Sequence, residues 1–97
     1  MPQRTSAPAP LRSGGEIDLA TAPALRRALT DALREHHVVV LDLSQVTFMD
    51  CVGLGAQVAA AGDAHRQGRR LVLRAPAARV SRLLRLTGTD RTLAVEP

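Results

Sequence analysis

The fold is decided by the stretch Val38-Val-Val-Leu-Asp-Leu-Ser-Gln-Val-Thr-Phe-Met-Asp-Cys-Val-Gly-Leu54, in which a strand, a loop and a helix follow one another. Residues 38–43 form a largely apolar, β-branched run, which is typical of a parallel strand covered on both faces. Residues 44–49 are predicted as a short polar loop. Asp50 follows as the N-cap of a helix, where its carboxylate can accept hydrogen bonds from the free N–H groups of the first turn.

A helix precedes this stretch over residues 22–35. Thr21 supplies a capping hydroxyl, and Pro23 occupies the first turn, where its missing N–H does no harm. Apolar residues then recur at the spacing of one helical face, so the helix is expected to pack on the sheet along that stripe. The stripe consists of Leu25, Ala28, Leu29, Ala32 and Leu33.

The helix after Asp50 is predicted over residues 51–67 and contains many small side chains. Gly53 and Gly55 stand inside it, although each internal glycine costs about 1 kcal/mol relative to alanine. Close approach to a neighbouring element is the natural reason. Gly68 ends this helix, and a buried strand follows over residues 71–73.

The C-terminal part predicts a third helix, which follows Pro76 and reaches about residue 87. Gly88 is expected as the left-handed residue that closes this helix. A last short strand is expected over residues 93–95. The inward face of the helix is expected to carry Val80, Leu83 and Leu84, and the outward face Arg79, Arg82 and Arg85.

The N-terminal residues are rich in proline, serine, alanine and glycine, which oppose regular structure. Residues 1–13 are therefore predicted as a flexible segment and residues 14–97 as the folded domain. At most, residues 11–13 or 16–18 form a short edge strand.

Strands that alternate with helices predict the α/β class, with a small, mostly parallel sheet and right-handed crossovers. The helices would spread over both faces of this sheet or gather on one. A chain of 97 residues suffices for one domain and leaves no room for a second.

The composition limits the partners. All 13 basic residues are arginine, the net charge is +4 and the isoelectric point is about 11.3, which suits an acidic partner surface. The arginines form no run longer than two and lack the interleaved aromatic residues that stack on bases. Binding to nucleic acid is therefore not expected.

A cytoplasmic location is expected. The single cysteine cannot form an internal disulfide, which fits a reducing compartment. No apolar run approaches the roughly 20 residues that span a bilayer, and the N-terminus has no apolar signal core.

No cofactor, metal or catalytic site is expected. The three histidines lack cysteine or carboxylate companions at the spacing of a metal site. Gly53-Leu-Gly55 opens a helix but lacks the third glycine of a dinucleotide loop. Cys51 has two interpretations: a half-buried residue that packs as a hydrophobe, or a thiol activated by the helix N-terminus, an effect that the Asp50 charge opposes.

Four motifs occur in order along the chain: Gly15-Glu-Ile-Asp-Leu-Ala-Thr-Ala-Pro-Ala-Leu25, Leu41-Asp-Leu-Ser-Gln-Val-Thr-Phe-Met-Asp50, Gly53-Leu-Gly55 and Leu84-Arg-Leu-Thr-Gly-Thr-Asp-Arg91. Together they resemble the STAS domain of bacterial anti-sigma factor antagonists, over roughly residues 14–96. The resemblance implies a small mixed sheet covered by helices. It also implies a protein that binds an anti-sigma factor, itself a serine kinase, so that the kinase releases its sigma factor.

In that family, a serine directly after the residue corresponding to Asp50 is phosphorylated to undo the capture, and a phosphatase restores it. Cys51 stands at that position here, and neither it nor Val52 offers a hydroxyl. The resemblance therefore implies a binding protein, not an enzyme, whose phosphorylation switch is lost. The implied contact surface comprises Asp18, Thr21, Asp50, Cys51, Val52 and Leu54, with Ser44 at its edge.

Alternatives stay open at this point. A STAS accessory subunit of a transporter ATPase or a signalling complex would share the fold and differ in partner, and a thiol redox sensor would use Cys51. Asp18 and Thr21 can serve local turn and capping chemistry as well as binding. The family's first strand is hardly recognisable in residues 1–14, its C-terminal helix would lie beyond Pro97, and both a monomer and a dimer are compatible with the sequence.

Overall fold

The computed structural model of the chain describes residues 9–97. The elements, in chain order, are strand β1 (Ala9–Ile17), helix α1 (Ala22–Glu35), strand β2 (Val38–Met49), helix α2 (Cys51–Arg66), strand β3 (Arg70–Arg74), helix α3 (Ala78–Thr87) and strand β4 (Ala94–Glu96). A short 3-10 turn (Thr89–Arg91) joins α3 to β4. Within the described part of the chain, no helix has the length and apolar character needed to cross a membrane.

The strands lie side by side in the order β1, β2, β3, β4, and each neighbouring pair is parallel. Every connection contains a helix, and since such crossovers are right-handed, all three helices lie on one face of the sheet. The α/β class and the mostly parallel sheet are confirmed, and residues 9–97 contain no antiparallel pair. The core that joins the sheet to the helices includes Leu25, Leu29, Leu33, Val39, Leu41, Leu43, Leu54, Leu71, Leu73, Val80 and Leu84.

The first strand is longer than predicted. β1 extends over Ala9–Ile17, whereas the sequence predicted at most a short edge strand at 11–13 or 16–18. β1 pairs along its whole length with β2, which lies far along the chain. This pairing forms the strand although one serine and two glycines lower the strand propensity of β1. The predicted boundary after residue 13 falls inside β1, and residues 1–8 of the predicted flexible segment lie outside the described residues.

The second strand continues to Met49, so the predicted loop over residues 44–49 is wrong. The register with β1 shifts twice, each time because β2 carries one more residue than its partner. These two β-bulges place the buried residues Leu43, Val46 and Met49 three positions apart instead of two. A spacing of three does not match the alternation by which a strand is recognised in a sequence.

Helix α1 has its predicted range and its predicted stripe. Leu25, Leu29 and Leu33 are buried against the sheet. The proline lies in the first turn as expected. The predicted capping role of the Thr21 hydroxyl is wrong, because this side chain makes no cap hydrogen bond to α1. The carboxylate of Asp18 instead accepts from N–H groups of the turn before α1, at Ala20 and Thr21.

Helix α2 begins at Cys51 with Asp50 as its N-cap, as predicted. The two glycines near its start differ. A Cβ atom on Gly53 would lie 2.4 Å from the carbonyl oxygen of Ile17, so the close approach is confirmed there. A Cβ atom on Gly55 would meet no atom within 4 Å, so the same explanation is wrong for Gly55.

The C-terminal elements match their predictions to within two residues at each end. α3 ends at Gly88, whose φ of 74° is left-handed. Val80 and Leu84 are buried, and Leu83 is partly buried against the core. The three arginines predicted on the outward face, Arg79, Arg82 and Arg85, are exposed.

Candidate functional site

Two strand ends meet at the edge of the sheet where β1 and β2 finish. Ile17 lies opposite Met49 in the register, and the N–H of Asp50 donates to the carbonyl of Ile17 at 3.1 Å. Asp18 and Asp50, which directly follow these two residues, are therefore neighbours. In open parallel sheets, ligands and partners commonly bind at this carboxyl edge.

Asp50 fixes the start of α2 at this edge. Its Oδ1 accepts a hydrogen bond from the N–H of Gly53 at 2.8 Å, and its carbonyl accepts from the N–H of Leu54 at 2.9 Å. The backbone of Gly53 packs directly on the carbonyl of Ile17. The first turn of α2 is therefore held against the end of β1 by backbone contacts on both sides of the junction.

Asp18 organises the turn between β1 and α1. Its Oδ1 accepts from the N–H groups of Ala20 and Thr21 at 3.0 and 3.1 Å. The hydroxyl of Thr21 accepts from the N–H of Asp18 and donates to the carbonyl of Glu16, both at 2.9 Å. The hydrogen bond from the Thr21 N–H is the main cause that lowers the pKa of Asp18. The turn chemistry expected of Asp18 and Thr21 is therefore present, whereas neither side chain makes a cap hydrogen bond to α1.

Cys51 and Val52 form the exposed start of α2. The Cys51 thiol is free and exposed, so the interpretation of this residue as a half-buried hydrophobe is wrong. Val52 is 47% exposed. Both side chains are open to a partner that approaches the strand ends.

Two further residues at this edge were missed by the sequence analysis. Leu19 follows Asp18 in the turn and is 72% exposed, and Phe48 lies near the end of β2 and is 47% exposed. Several large apolar side chains exposed on one patch are typical of a surface that a partner covers. Phe48 is the single aromatic residue of the chain, and this could have marked it as a candidate. The side of the sheet on which its side chain lies, however, depends on the second bulge of β2. We call the strand-end surface the set Asp18, Leu19, Phe48, Asp50, Cys51 and Val52.

The outward side of α2 continues the exposed apolar character. Cys51, Gly55 and Val58 lie on one helical face, and Gly55 and Val58 are exposed. Since the space beside Gly55 is empty within the described residues, its missing side chain serves no contact inside the chain.

Two residues of the predicted contact surface lie elsewhere. Leu54 is 5% exposed and belongs to the core, so a partner cannot reach it directly. Ser44 lies five residues before Met49 in β2, roughly 10 to 13 Å from the strand end, because the bulges shorten this part of the strand. It lines a groove together with the start of α3, at Ala77, Ala78 and Arg79. Ser44 is therefore outside the strand-end surface.

The Asp18 and Asp50 carboxylates accept backbone N–H groups and so hold the surrounding loops in place. In residues 9–97, no three histidine, cysteine or carboxylate side chains form a group that could hold a metal ion. The apolar side chains of Leu19, Phe48 and Val52, which are close to these carboxylates along the chain, are exposed.

Comparison with known proteins relates the chain to one family. Residues 1–96 match the family described as "Mlab, STAS domain". An anti-sigma-B factor antagonist of Listeria monocytogenes is 35% identical over 83 residues, which cover 84% of this chain and 73% of the relative.

Solved structures show the same relation. An anti-sigma factor antagonist from Mycobacterium paratuberculosis has a TM-score of 0.76 and 35% identity, over 93% of this chain and 77% of that one. The antagonist SpoIIAA in its unphosphorylated form has a TM-score of 0.77 and 18% identity, over 94% and 81%, and a phosphorylated form of it from Bacillus is also known. The STAS domain of a SulP transporter from Vibrio cholerae has a TM-score of 0.72 and 22% identity, over 93% and 73%.

Proposed function

Because the chain belongs to the STAS domain family, with anti-sigma factor antagonists among its relatives, we propose that it binds an anti-sigma factor through the strand-end surface. The observation that carries this proposal is the pair of anchored carboxylates, Asp18 and Asp50, flanked by the exposed side chains of Leu19, Phe48 and Val52. Apolar contacts would supply affinity, and the carboxylates would set the orientation of the partner. The protein acts by binding and performs no catalysis, and it works in the cytoplasm, where sigma factors meet RNA polymerase.

The proposed partner is an anti-sigma factor of the serine-kinase type, which would meet Cys51 at the position where the family resemblance implies a serine. A phosphate there would add nearly two negative charges beside Asp50 and repel the partner. The thiol of Cys51 is exposed, so the kinase can contact it. A serine kinase, however, transfers phosphate to a hydroxyl and not to a thiol. The complex formed by this chain would therefore persist while ATP is present.

The test uses the purified chain, a cognate serine-kinase anti-sigma factor and ATP. We expect a stable complex on size-exclusion chromatography and no phosphate on the chain by intact-mass spectrometry. The Cys51→Ser variant should gain one phosphate and leave the complex. Cys51→Ala is the matched control, since it removes the thiol without adding a hydroxyl, and it should bind without phosphorylation.

Two results would count against this proposal. Phosphate on residue 51 of the unmodified chain would show that the switch is intact. Equal binding by the wild type and by Val52→Asp, which places a charge on the strand-end surface, would show that the partner docks elsewhere.

The transporter or signalling-complex alternative shares the fold and differs only in partner. The likeness to the SulP domain is a likeness of fold, and no contact among residues 9–97 favours a transporter over an anti-sigma factor. Affinity capture from the native cell would use the wild-type chain and Val52→Asp as two parallel baits. The partner would be a protein that the wild type retains and Val52→Asp does not. A redox role for Cys51 would require alkylation at a pH well below the ordinary thiol value of about 8.5.

A further inference from the structure

The sheet has a second face, which carries no helix within residues 9–97. In β2 and β3, Val39, Leu41, Leu71 and Leu73 point into the core with the helices. The residues between them therefore point to the opposite side, since side chains alternate along a strand. We call this side the open face.

A row of alternating charge crosses the open face on all four strands. Arg12 of β1 lies opposite Asp42 of β2, Asp42 lies opposite Arg74 of β3, and Arg74 lies opposite Glu96 of β4. The guanidinium of Arg74 donates to the carboxylate of Glu96. Hydrogen bonds from Ser44 lower the pKa of Asp42, and the charges of Arg12 and Arg74 lower it further, which places all of these groups close together.

An apolar row runs beside the charged one. Pro10, Val40, Val72 and Ala94 are in register across the sheet, two positions before the charged residues. Val40 and Val72 are only 5% and 8% exposed, so the centre of this row is already largely shielded from water, whereas Pro10 at its edge is exposed. The open face therefore presents to solvent mainly its charged row, which has zero net charge, beside a narrow apolar row.

We propose that the open face is the contact between two copies of this chain, related by a two-fold axis that runs along the strands between β2 and β3. This rotation reverses the order of the charged row, so Arg12 of one copy faces Glu96 of the other and Asp42 faces Arg74. All four pairs are then of opposite sign, as an isologous interface requires. A two-fold axis perpendicular to the strands would instead place each charge against itself.

The remainder of the surface is less suited to a second copy. The outward face of α3 presents Arg79, Arg82 and Arg85, which make no ion pair with any described residue, so two such faces repel each other. On the open face, Arg70 at the start of β3 would face Val38 of the other copy and add no like-charge pair. The strand-end surface lies six or more residues after Arg12 and Asp42, towards the ends of β1 and β2, so the proposed contact leaves it accessible to an anti-sigma factor.

The contact predicts association that depends on concentration and on salt. Sedimentation equilibrium of the full chain should show a dimer at low ionic strength, and added salt should weaken it because the charged row is only partly buried. Arg74→Glu and Asp42→Arg each create two like-charge pairs across the axis and should each weaken the dimer about tenfold or more.

The decisive experiment mixes these two variants. In a mixed pair, all four facing positions again have opposite charges, so Arg74→Glu and Asp42→Arg should associate with each other while each alone remains monomeric. Arg12→Glu and Glu96→Arg form a second such pair, which serves if loss of the Asp42 contacts prevents folding. Arg79→Glu on α3 is the control and should not weaken the wild-type dimer.

A chain that is monomeric at every concentration and salt level would overturn the proposal. So would a dimer that both single variants leave intact, or single variants that fold normally and stay apart when mixed. Because the test needs no anti-sigma factor, its outcome is independent of the proposed function.

Discussion

At Gly53, the backbone of α2 lies directly on the backbone of β1. The carbonyl oxygen of Ile17 lies 2.4 Å from the position that a Cβ atom of residue 53 would take. The same oxygen accepts a hydrogen bond from the N–H of Asp50. Any side chain at residue 53 must therefore push the helix away from the strand end. Gly55, two residues later, faces open space and has no such requirement.

These two glycines give a matched pair of substitutions. Gly53→Ala should destabilise the protein by about 2 kcal/mol or more, because the added methyl overlaps main-chain atoms that cannot rotate away. Gly55→Ala should stabilise it by about 0.5 to 1 kcal/mol, because alanine favours the helix and meets no atom. Urea unfolding of both variants measures the difference, and equal effects would contradict the packing described for Gly53.

The start of α2 combines an architectural role with a proposed binding role. Asp50 caps the helix and also stands in the strand-end surface next to Cys51. Its charge is favourable near the positive end of the helix, and its side-chain oxygen satisfies one free N–H group. A single substitution would therefore confound stability with binding unless two variants are compared.

Asp50→Ala should lower the free energy of unfolding by about 1 kcal/mol, because it removes the N-cap. Asp50→Asn keeps a capping oxygen and should lose only a small part of that stability. If the charge orients the partner, both variants should bind the anti-sigma factor more weakly. Thermal melts and titration calorimetry separate the two effects, and full binding by Asp50→Asn would limit Asp50 to the capping role.

At the scale of the whole molecule, the ionisation of Asp18 and Asp42 is coupled to folding. The pKa values of Asp18 and Asp42 are lowered from 3.8, the first chiefly by the Thr21 N–H and the second chiefly by Ser44. A lowered folded pKa means that the unfolded chain takes up protons first as the pH falls. The stability that each group contributes is complete above the unfolded value and is lost as the pH falls through the folded one.

Stability should therefore decrease on acidification below about pH 5. Asp18→Asn and Asp42→Asn should each be less stable than the wild type at pH 7, and the difference should shrink as the pH falls below 3.8. Asp90→Asn is the control, since its carboxylate makes no hydrogen bond or ion pair with the described residues. Urea unfolding from pH 7 to pH 3 provides the measurement, and a difference that does not change with pH would contradict the assignment.

Local signals in the sequence predicted much of this architecture. The spacing of Leu25, Leu29 and Leu33 predicted the buried face of α1, Asp50 predicted the start of α2, and Gly88 predicted the end of α3. Each of these signals acts within one or two helical turns, so neighbouring residues suffice to determine it.

The sequence by itself determined the α/β class, the three helices, the Asp50 cap of α2 and the Gly88 end of α3, and the position of the candidate site after β2. Only the tertiary structure decided the length of β1, the two bulges of β2, the exposure of Leu19 and Phe48, the burial of Leu54 and the charged row of the open face. The physical reason is that these features depend on register between parallel strands that are distant in the chain. One inserted residue reverses which face a side chain occupies without changing any local pattern.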